Sequence, residues 1–371
     1  MADEPRLYEL PERYRALQQE ARELAASVKD RAEVADEADR VDPVMRDRLA
    51  ASGLAAVTVG AEYGGRFERV DSLFAMQGIG SYPVSAGGRD PVRKRWLPAV
   101  ATCEAIAALA LTEPEVGSDL RAITTTVRAA GDELVIDGRK SFITNAGDAS
   151  FYSVLCREDA GYSLVLVPAD APGLRVEHPH QIIAPHVLGD VILDGVRVPA
   201  DHRLGEPGTG FRLTLATLAT FRVSVAGAAI GLAQRALDET VRHTSAREQF
   251  GVPVARLGPV ASALALSWTE IEMARSLAYR AAAAAARDPL ASLNLSSMAK
   301  VGATEVAGRV TDRAVQVMGR FGLVRGSVIE RLYREARPMR IYEGSTEVIL
   351  DSLAKQLVKK LQNPDREGAS S

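Results

Sequence analysis

Apolar residues near the start of the chain recur at intervals of three and four. Tyr14, Leu17, Ala21, Leu24 and Val28 fall on one face of a helix whose other face carries charged residues. The chain is therefore predicted to begin with an amphipathic helix.

More helical signals follow before residue 107. A short helix is predicted to begin at Pro43 and to run through Leu49, because proline suits the first helical position. The stretch from Gly53 to Gly65 is predicted to be a loop-rich link, and another helix is predicted to lead to Pro98. Residues 1–107 are thus predicted to form an N-terminal helical domain.

Between residues 106 and 204 the pattern changes to short β-rich runs separated by turn residues such as Gly131-Asp132. The predicted strands are Thr124 to Val127, Glu133 to Ile136, Phe151 to Cys156, Tyr162 to Val167 and Val191 to Val198. Strands at this spacing are typical of a small sandwich or barrel. Residues 108–207 are therefore predicted to form a middle β domain.

Helical patterns return from Gly208 onward, and Pro289 separates two long helices. The predicted apolar stripes are Leu264, Trp268 and Ile271 on one helix, and Val306, Val310 and Val317 on another. Residues 208–371 are predicted to form a C-terminal four-helix bundle. The predicted fold class is mainly α with a central β domain.

Composition narrows the possible functions. A chain of 371 residues exceeds what one core usually supports, and 47% apolar with 25% charged residues describes an ordinary globular protein. The net charge of -3 argues against a nucleic-acid partner. Only Cys103 and Cys156 are present, which fits a reducing compartment and no disulfide framework.

No metal site and no membrane segment are expected. The histidines lack metal-ligand spacing, and His178 and His180 are interpreted as solvated loop residues. The N-terminus lacks an apolar signal core, and nowhere do about 18 uncharged apolar residues run together. We therefore expect a cytoplasmic protein.

The run Arg340-Ile341-Tyr342-Glu343-Gly344-Ser345-Thr346-Glu347 places one carboxylate between an apolar-aromatic pair and a glycine. Beside Ile341 and Tyr342 the Glu343 side chain would lose hydration, which raises the pKa of a carboxyl toward the range where it removes a proton from carbon near neutral pH. Glycine lets the backbone pass close to a ligand. An ordinary turn with a solvated acid is the alternative interpretation.

A second candidate segment is Leu111-Thr112-Glu113-Pro114-Glu115-Val116-Gly117-Ser118-Asp119, which follows a predicted strand from Ile106 to Leu111. Free backbone N–H groups in such a turn can hold an anion. Gly117 permits close approach, and the hydroxyls of Thr112 and Ser118 are candidate donors to a carbonyl or pyrophosphate oxygen. A helix N-cap or a loop with Asx and Ser turns is the alternative.

Together with Gly138-Arg139-Lys140-Ser141-Phe142-Ile143-Thr144-Asn145-Ala146 and the Tyr-Glu-Gly segment, this nonapeptide resembles the acyl-CoA dehydrogenase family. Further matches, in the same order, are Arg222 with residues 231–237, Arg247-Glu248-Gln249-Phe250-Gly251, Gln316-Val317-Met318-Gly319 and residues 330–334. Matches in register over about residues 108 to 355 argue against coincidence.

The resemblance implies an enzyme that binds FAD between the β domain and the bundle. The residues it assigns to FAD are Leu111, Thr112, Gly117, Ser118, Phe142, Thr144, Arg247, Gln249, Phe250, Gln316, Gly319, Arg320, Ser345 and Glu347. Thr144 would reach flavin N5 as hydride arrives there. Phe142 stands where many members have tryptophan, and its alternative role is that of a core aromatic residue in a strand.

The resemblance also implies an oligomer. Arg247, Gln249 and Phe250 match the segment that reaches the FAD of a neighbouring subunit, and arginine suits pyrophosphate because its planar fork pairs with two oxygens. A homodimer or homotetramer is therefore expected.

The implied reaction converts an acyl-CoA into a 2-enoyl-CoA. Glu343 would remove the α proton while hydride passes to flavin N5, and electrons would pass on to an electron-transferring flavoprotein. The implied substrate-binding residues are Ser118, Arg222, Tyr342 and Gly344. Arg222 is expected to hold Glu343 in position or to be paired within the bundle, and Phe221 stands where some members place the base and cannot serve.

Departures from the family pattern keep more than one function open. The chain is short between Gly65 and Trp96, Gly258 replaces a common glutamine, and Arg320 replaces a glycine. Ala219 replaces an aspartate that contacts the CoA arm, which allows an acyl group tethered to a carrier protein instead of CoA. An oxidase or flavin monooxygenase on the same fold is a second hypothesis, and a non-catalytic helical scaffold is a third.

Overall fold

The computed structural model describes residues 12–31, 41–59, 61–63, 75–184 and 186–362. The chain forms two compact units, Met1–Thr217 and Leu218–Ser371. The division into three domains at residues 107 and 207 stays a prediction. Gly64, Gly65 and the first part of the shortened stretch that follows them, up to residue 74, lie outside the described residues.

In the described part of the first unit, the α-helices are Glu12–Ser27 (α1), Pro43–Ser52 (α2), Ala75–Gly87 (α3) and Asp90–Ala101 (α4). The predicted start of α2 is confirmed, because the Asp42 carboxylate accepts the N–H of Met45 at 2.9 Å. The described part of the predicted loop-rich link from Gly53 to Gly65 contains two short 3₁₀ turns, at Leu54–Thr58 and Ala61–Tyr63. Leu54 is buried, so its segment must satisfy its backbone groups locally.

The central part of the first unit is one mixed sheet, which confirms the predicted β domain. Its strands are Ala107–Ala110 (β1), Thr126–Ala130 (β2), Glu133–Thr144 (β3), Phe151–Glu158 (β4), Gly161–Pro168 (β5), Leu174–Glu177 (β6), Leu188–Pro199 (β7) and Arg203–Leu204 (β8). Their order is β6-β7-β3-β2-β4-β5-β8, and β1 pairs with β4 in parallel.

Apolar residues cover both faces of this sheet. In β4, Phe151 and Leu155 point to the α4 side, where the rings of Phe151 and Trp96 have centroids 4.8 Å apart. Tyr152 and Val154 belong to the core on the opposite face. Because successive side chains of a strand point to opposite faces, the two faces of β4 belong to two different cores.

Strand β3 is longer than the predicted run from Glu133 to Ile136. Its pairing with β7 shifts register between Ile136 and Gly138 and again between Lys140 and Ile143. Such irregularities bend a strand and redirect its side chains. The second one lies at the segment that the resemblance assigns to the flavin.

The second unit is helical. Its elements are Gly210–Ala246 (α5, from residue 218), the hairpin strands Glu248–Gln249 (β9) and Val252–Pro253 (β10), and the helices Gly258–Ala285 (α6), Leu293–Met318 (α7), Val328–Met339 (α8) and Thr346–Gln362 (α9). Alanines fill much of the core between α5, α6 and α7, which lets helices approach closely.

The predicted stripe on α6 is wrong for one residue. Ile271 is buried, but the Trp268 side chain is 63% exposed. The buried face of α6 continues from Ile271 through Ala274, Ala278 and Ala281. The face that packs in the core is therefore formed mainly by small residues, and Trp268 lies outside it.

In the described residues, α5 is long and apolar enough to cross a membrane by length and composition. Of its most apolar window, 61% is buried within the protein, and a core helix meets the same criteria. Among the described residues no cluster of His, Cys, Asp and Glu could hold a metal ion.

Candidate active site

Glu343 lies in a tight turn between α8 and α9. Its φ is +56° and that of Gly344 is +98°, both in the left-handed region. Only Gly344 adopts this geometry without a side-chain penalty, so the turn imposes strain at Glu343. Strain of this kind, of order 1–3 kcal/mol, persists where the surrounding structure holds a residue for its function.

Side chains from two other helices hold this turn. Arg222 on α5 donates from Nε to the carbonyl of Glu343 at 2.9 Å and from Nη1 to the Ser297 hydroxyl at 2.8 Å. Lys300 on α7 donates from Nζ to the carbonyl of Gly344 at 2.8 Å. The sequence expectation that Arg222 lies beside Glu343 thus matches the geometry.

The Glu343 carboxyl group is set apart from these contacts. Its Oε2 is buried and has no hydrogen-bond partner among the described residues, although the residue as a whole is only partly buried. Burial raises the pKa of this carboxyl, and the charges of Arg222 and Lys300 offset part of that rise. A solvated acid in an ordinary turn, the alternative interpretation, is wrong.

A glutamate on α7 fixes the two ends of the turn. Glu305 Oε1 accepts Arg340 Nε and the Thr346 hydroxyl, each at 2.8 Å. Arg340 ends α8 and Thr346 begins α9. Helix α7 therefore holds the residues on both sides of the turn through Glu305, and the carbonyl of Gly344 through Lys300.

Sequence reasoning missed Lys300, although a signal was present. Lys300 lies in the buried line of α7 with Ser297, Ala303 and Thr304, spaced at three and four residues. Its side chain is 0% exposed, and burial followed by the nearby Arg222 charge lowers its pKa to about 8. A lone cation within an otherwise small and apolar helical stripe was the sign of a buried charge.

In the first unit, the end of β3 holds the loop that begins at Leu111. Lys140 Nζ donates to the carbonyl of Leu111 at 2.9 Å, and the N–H of Ser141 donates to the carbonyl of Thr112 at 2.9 Å. Lys140 also pairs with Glu113 at 2.9 Å, and both side chains are buried. These contacts bring Leu111 and Thr112 beside the segment that carries Phe142.

Glu113 was also missed by sequence reasoning. Burial disfavours its charge, but hydrogen bonds from Thr125 and Thr124 together with the Lys140 charge lower its pKa to about 2. The carboxylate therefore stays ionised and ties the loop to residues 124 and 125.

The loop differs in part from the expected anion-binding turn. The N–H groups of Glu113 and Val116 are bonded to each other's carbonyls rather than free. Asp119 caps a 3₁₀ turn by accepting the N–H of Arg121 at 3.2 Å, as the cap alternative expected. Gly117 and Ser118 are exposed, and a side chain at Gly117 would contact nothing in this chain.

Phe142 is not a core aromatic residue, so that alternative is wrong. Its φ is +56° at the second β3 irregularity, and its ring is 50% exposed. The His180 ring stacks on it with centroids 4.1 Å apart and planes 6° apart, which corrects the interpretation of His180 as simply solvated. Asp190 supports both, since it accepts the N–H of Phe142 at 3.3 Å and lies 3.5 Å from His180 Nε2.

The remaining predicted residues of the first and second units lie at surfaces or element ends. Thr144 is half-buried at the last position of β3. Phe250 is 91% exposed at the tip of the β9–β10 hairpin with a φ of +54°. Two further residues are half-buried, Arg247 and Ser345. The exposed ones are Gln249, Gln316, Gly319, Arg320, Tyr342 and Glu347.

A cationic cluster surrounds one aromatic ring that sequence reasoning did not single out. The guanidinium carbons of Arg247 and Arg320 each lie 5.1 Å from the centre of the Phe321 ring. His243 lies against the same ring with centroids 5.1 Å apart. The two arginines therefore lie close to one another around the Phe321 ring, and two guanidinium groups suit a phosphate ligand. Arg320 stands where the family pattern has glycine.

Comparison with known proteins covers most of the chain. Models of the acyl-CoA dehydrogenase middle domain and of the acyl-CoA dehydrogenase C-terminal domain match residues 108–195 and 208–358. A cyclohexane-1-carbonyl-CoA dehydrogenase of Geobacter metallireducens is 35% identical over 294 residues, which are 78% of this chain and 77% of the relative.

Two further relatives extend over nearly the whole chain. The probable acyl-CoA dehydrogenase FadE25 of Mycobacterium tuberculosis is 32% identical over 380 residues, 95% of this chain and 97% of the relative. The solved structure of butyryl-CoA dehydrogenase from Megasphaera elsdenii matches with a TM-score of 0.89 at 26% identity, covering 95% of this chain and 99% of that one.

Proposed function

Because the chain belongs to the acyl-CoA dehydrogenase family, we propose that Glu343 is the base that removes the α proton of its acyl-CoA substrate. The protein is an FAD-dependent oxidoreductase that acts on CH–CH groups. The observation that carries the proposal is the Glu343 Oε2 atom, which is buried, without a partner among the described residues and held in a strained turn.

The environment of Glu343 suits proton abstraction from carbon. A carboxylate that accepts several hydrogen bonds is a weak base, whereas one that is desolvated binds a proton more strongly. At Glu343 the supporting cations bind main-chain carbonyls and leave Oε2 free. The raised pKa therefore brings the base closer to the pH at which it operates.

The described residues fit FAD. When bound, FAD would supply the acceptor for the β hydrogen as hydride, while the α proton would leave to a base of the protein. In the first unit, Thr112 and Thr144 offer hydroxyls, and the half-exposed Phe142 ring offers a flat apolar surface. In the second unit, Arg247 and Arg320 supply the charge that a pyrophosphate requires.

The partners belong to the same proposal. Phe250 is an almost fully exposed aromatic residue at a hairpin tip, which supports a second copy of the chain as its contact. We propose a homodimer or homotetramer in which this hairpin reaches the FAD of the neighbouring subunit, and an electron-transferring flavoprotein as acceptor. Ala219, buried in α5, supplies no carboxylate for the CoA arm, so carrier-protein thioesters belong among the substrates tested.

The test uses the FAD-loaded protein with a panel of acyl-CoA and acyl-carrier-protein thioesters. Under anaerobic conditions each thioester is titrated into the protein while the visible flavin absorption is followed. Glu343→Gln should abolish bleaching and the exchange of the substrate α hydrogen with D₂O, while FAD stays bound. The matched control is Asp351→Asn, because Asp351 is an exposed carboxylate on α9 that is assigned neither to FAD nor to the substrate.

The outcome that contradicts the proposal is a Glu343→Gln variant that bleaches at the parental rate. Equal losses in Glu343→Gln and Asp351→Asn would show that charge near α9, rather than one base, is responsible. Rapid aerobic reoxidation of the reduced protein would favour an oxidase on the same fold over a dehydrogenase.

A further inference from the structure

Lys300 is a buried ammonium that donates a hydrogen bond to one main-chain carbonyl, that of Gly344. Burying a charged side chain costs several kcal/mol unless another charge compensates for it. A neutral amide would serve as donor to that carbonyl equally well. The positive charge of Lys300 therefore requires a compensating partner.

Among the described residues, four charged groups act on Lys300 from the elements around it: Arg222 on α5, Glu305 on α7, Glu343 in the turn and Glu347 on α9. Glu305 is already engaged by Arg340 and Thr346, and Glu347 is exposed to solvent. Glu343 is the nearby carboxylate with a buried oxygen that no described donor satisfies. The charge of Lys300 thus acts chiefly on Glu343.

Arg222 and Lys300 act on Glu343 in the same way. Each donates to a carbonyl of the turn, at Glu343 and Gly344 respectively, and Oε2 receives no hydrogen bond from the described residues. Charges placed beside a carboxylate, but not bonded to it, stabilise its ionised form while leaving the lone pairs free to receive a proton. Such an arrangement keeps a desolvated base ionised without blocking it.

We propose that Lys300 is a positioning residue, whose ammonium group holds the Glu343–Gly344 turn and supplies positive charge that stabilises the ionised form of Glu343. The inference rests on the proposed role of Glu343. Arg222 provides a second positive charge beside the turn, and its guanidinium also donates to the Ser297 hydroxyl on α7.

Three substitutions separate the contact from the charge. Lys300→Arg keeps both a donor and a positive charge, Lys300→Gln keeps a donor without charge, and Lys300→Met removes both. The matched control is Lys355→Gln, because Lys355 is an exposed lysine that pairs with Asp351 on α9. Thermal melting establishes that each variant is folded.

The first measurement is the ionisation of Glu343 itself. For each variant, infrared difference spectra are recorded against the same variant carrying Glu343→Gln, and the carbonyl stretch of the protonated carboxyl is followed with pH. The Glu343 midpoint should rise by about one pH unit in Lys300→Gln and Lys300→Met. It should stay within a few tenths in Lys300→Arg and Lys355→Gln.

The second measurement is the pH dependence of α-hydrogen exchange. The acidic limb should move by the same amount, so that one pH unit below the parental midpoint the exchange rate falls about tenfold in Lys300→Gln. A Glu343 midpoint that stays unchanged in both uncharged variants overturns the inference. An equal change in Lys300→Arg and Lys300→Gln also overturns it, since shape rather than charge would then be responsible.

The spectra distinguish this failure from failure of the proposed function. If Glu343→Gln retains full exchange activity, Glu343 is not the base, whatever the spectra show. If Lys300→Met does not fold, Lys300→Gln and Lys300→Arg still decide the question, because both retain a donor for the Gly344 carbonyl.

Discussion

Replacing Lys140 with methionine should destabilise the first unit and weaken FAD binding together. Lys140 is fully buried, pairs with Glu113 at 2.9 Å and donates to the Leu111 carbonyl at 2.9 Å. Methionine has a similar length but no charge and no donor. The substitution leaves a buried carboxylate unpaired and frees the loop that carries Leu111 and Thr112.

The magnitude follows from the burial of the pair. Breaking a buried ion pair by removing one partner costs about 3–5 kcal/mol. Hydrogen bonds from Thr124 and Thr125 to Glu113 remain, so we expect the lower end, about 3 kcal/mol. For a unit of this size the melting temperature should fall by about 10 °C.

Low pH should also destabilise the first unit of the parent protein. The Glu113 pKa is lowered from 4.5 to about 2. A carboxylate with a lowered pKa contributes stability that is fully present above its ordinary pKa of 4.5 and lost as the pH falls toward 2. Thermal melts of the parent and of Lys140→Met at pH 7, 4 and 3 should therefore converge as the pH decreases.

The controls are a second ion pair and a double substitution. Arg197 and Glu133 pair at 2.8 Å across β3 and β7 but are solvent-exposed, so Arg197→Met should cost less than about 1 kcal/mol. Glu113→Gln combined with Lys140→Met removes the unpaired charge and should recover about half of the lost stability. If the double variant is no more stable than Lys140→Met, an unpaired carboxylate is not the cause and the reasoning is wrong.

Three further predictions concern single positions. Gly344→Ala should abolish substrate-dependent bleaching and lower stability by about 1–3 kcal/mol, because the added Cβ would lie 2.9 Å from Arg222 Nη2 at a φ of +98°. The control in both assays is Gly231→Ala in α5, where an added Cβ would have no atom within 4 Å. His180→Ala should weaken FAD binding by apo-protein about two- to tenfold in a fluorescence titration, and should have no effect in a Phe142→Leu background. Phe250→Ala should leave the melting temperature within about 2 °C but lower the assembly state and FAD retention in gel filtration; unchanged elution would contradict a role in assembly.

Elements governed by local chemistry were predicted from the sequence. The start of α2 depends on Asp42 and Pro43, which cap and begin the helix within one turn. The predicted strands beginning at Phe151 and Tyr162 correspond to β4 and β5, since runs of apolar and β-branched residues at such length favour buried strands. In each case the residues that decide the structure are neighbours in the chain.

Elements that depend on distant partners were missed or cut short. The strand predicted to end at Ile136 continues to Thr144, and two charged residues in the added part find partners elsewhere in the fold. Lys140 is paired with Glu113, and Arg139 with Asp190 at 2.7 Å. The extent of a strand that carries charged residues therefore depends on partners that are distant in the sequence.

The position of Phe142 shows the same limit within the site. An aromatic residue in an alternating run is expected to lie in the core. Here a register shift between Lys140 and Ile143 gives Phe142 a φ of +56° and turns its ring to the surface. The irregularity depends on pairing with β7, about fifty residues later, and has no local sequence signature.

The turn at Glu343 combines both situations. Glu343 and Gly344 were identifiable because a carboxylate followed by glycine is a local pattern, but the groups that hold the turn are 121 residues away at Arg222 and 44 residues away at Lys300. A left-handed turn at a non-glycine residue is not stable by itself, so its geometry must come from such distant contacts. The sequence therefore identifies the candidate base, whereas its orientation and its ionisation are properties of the assembled helices.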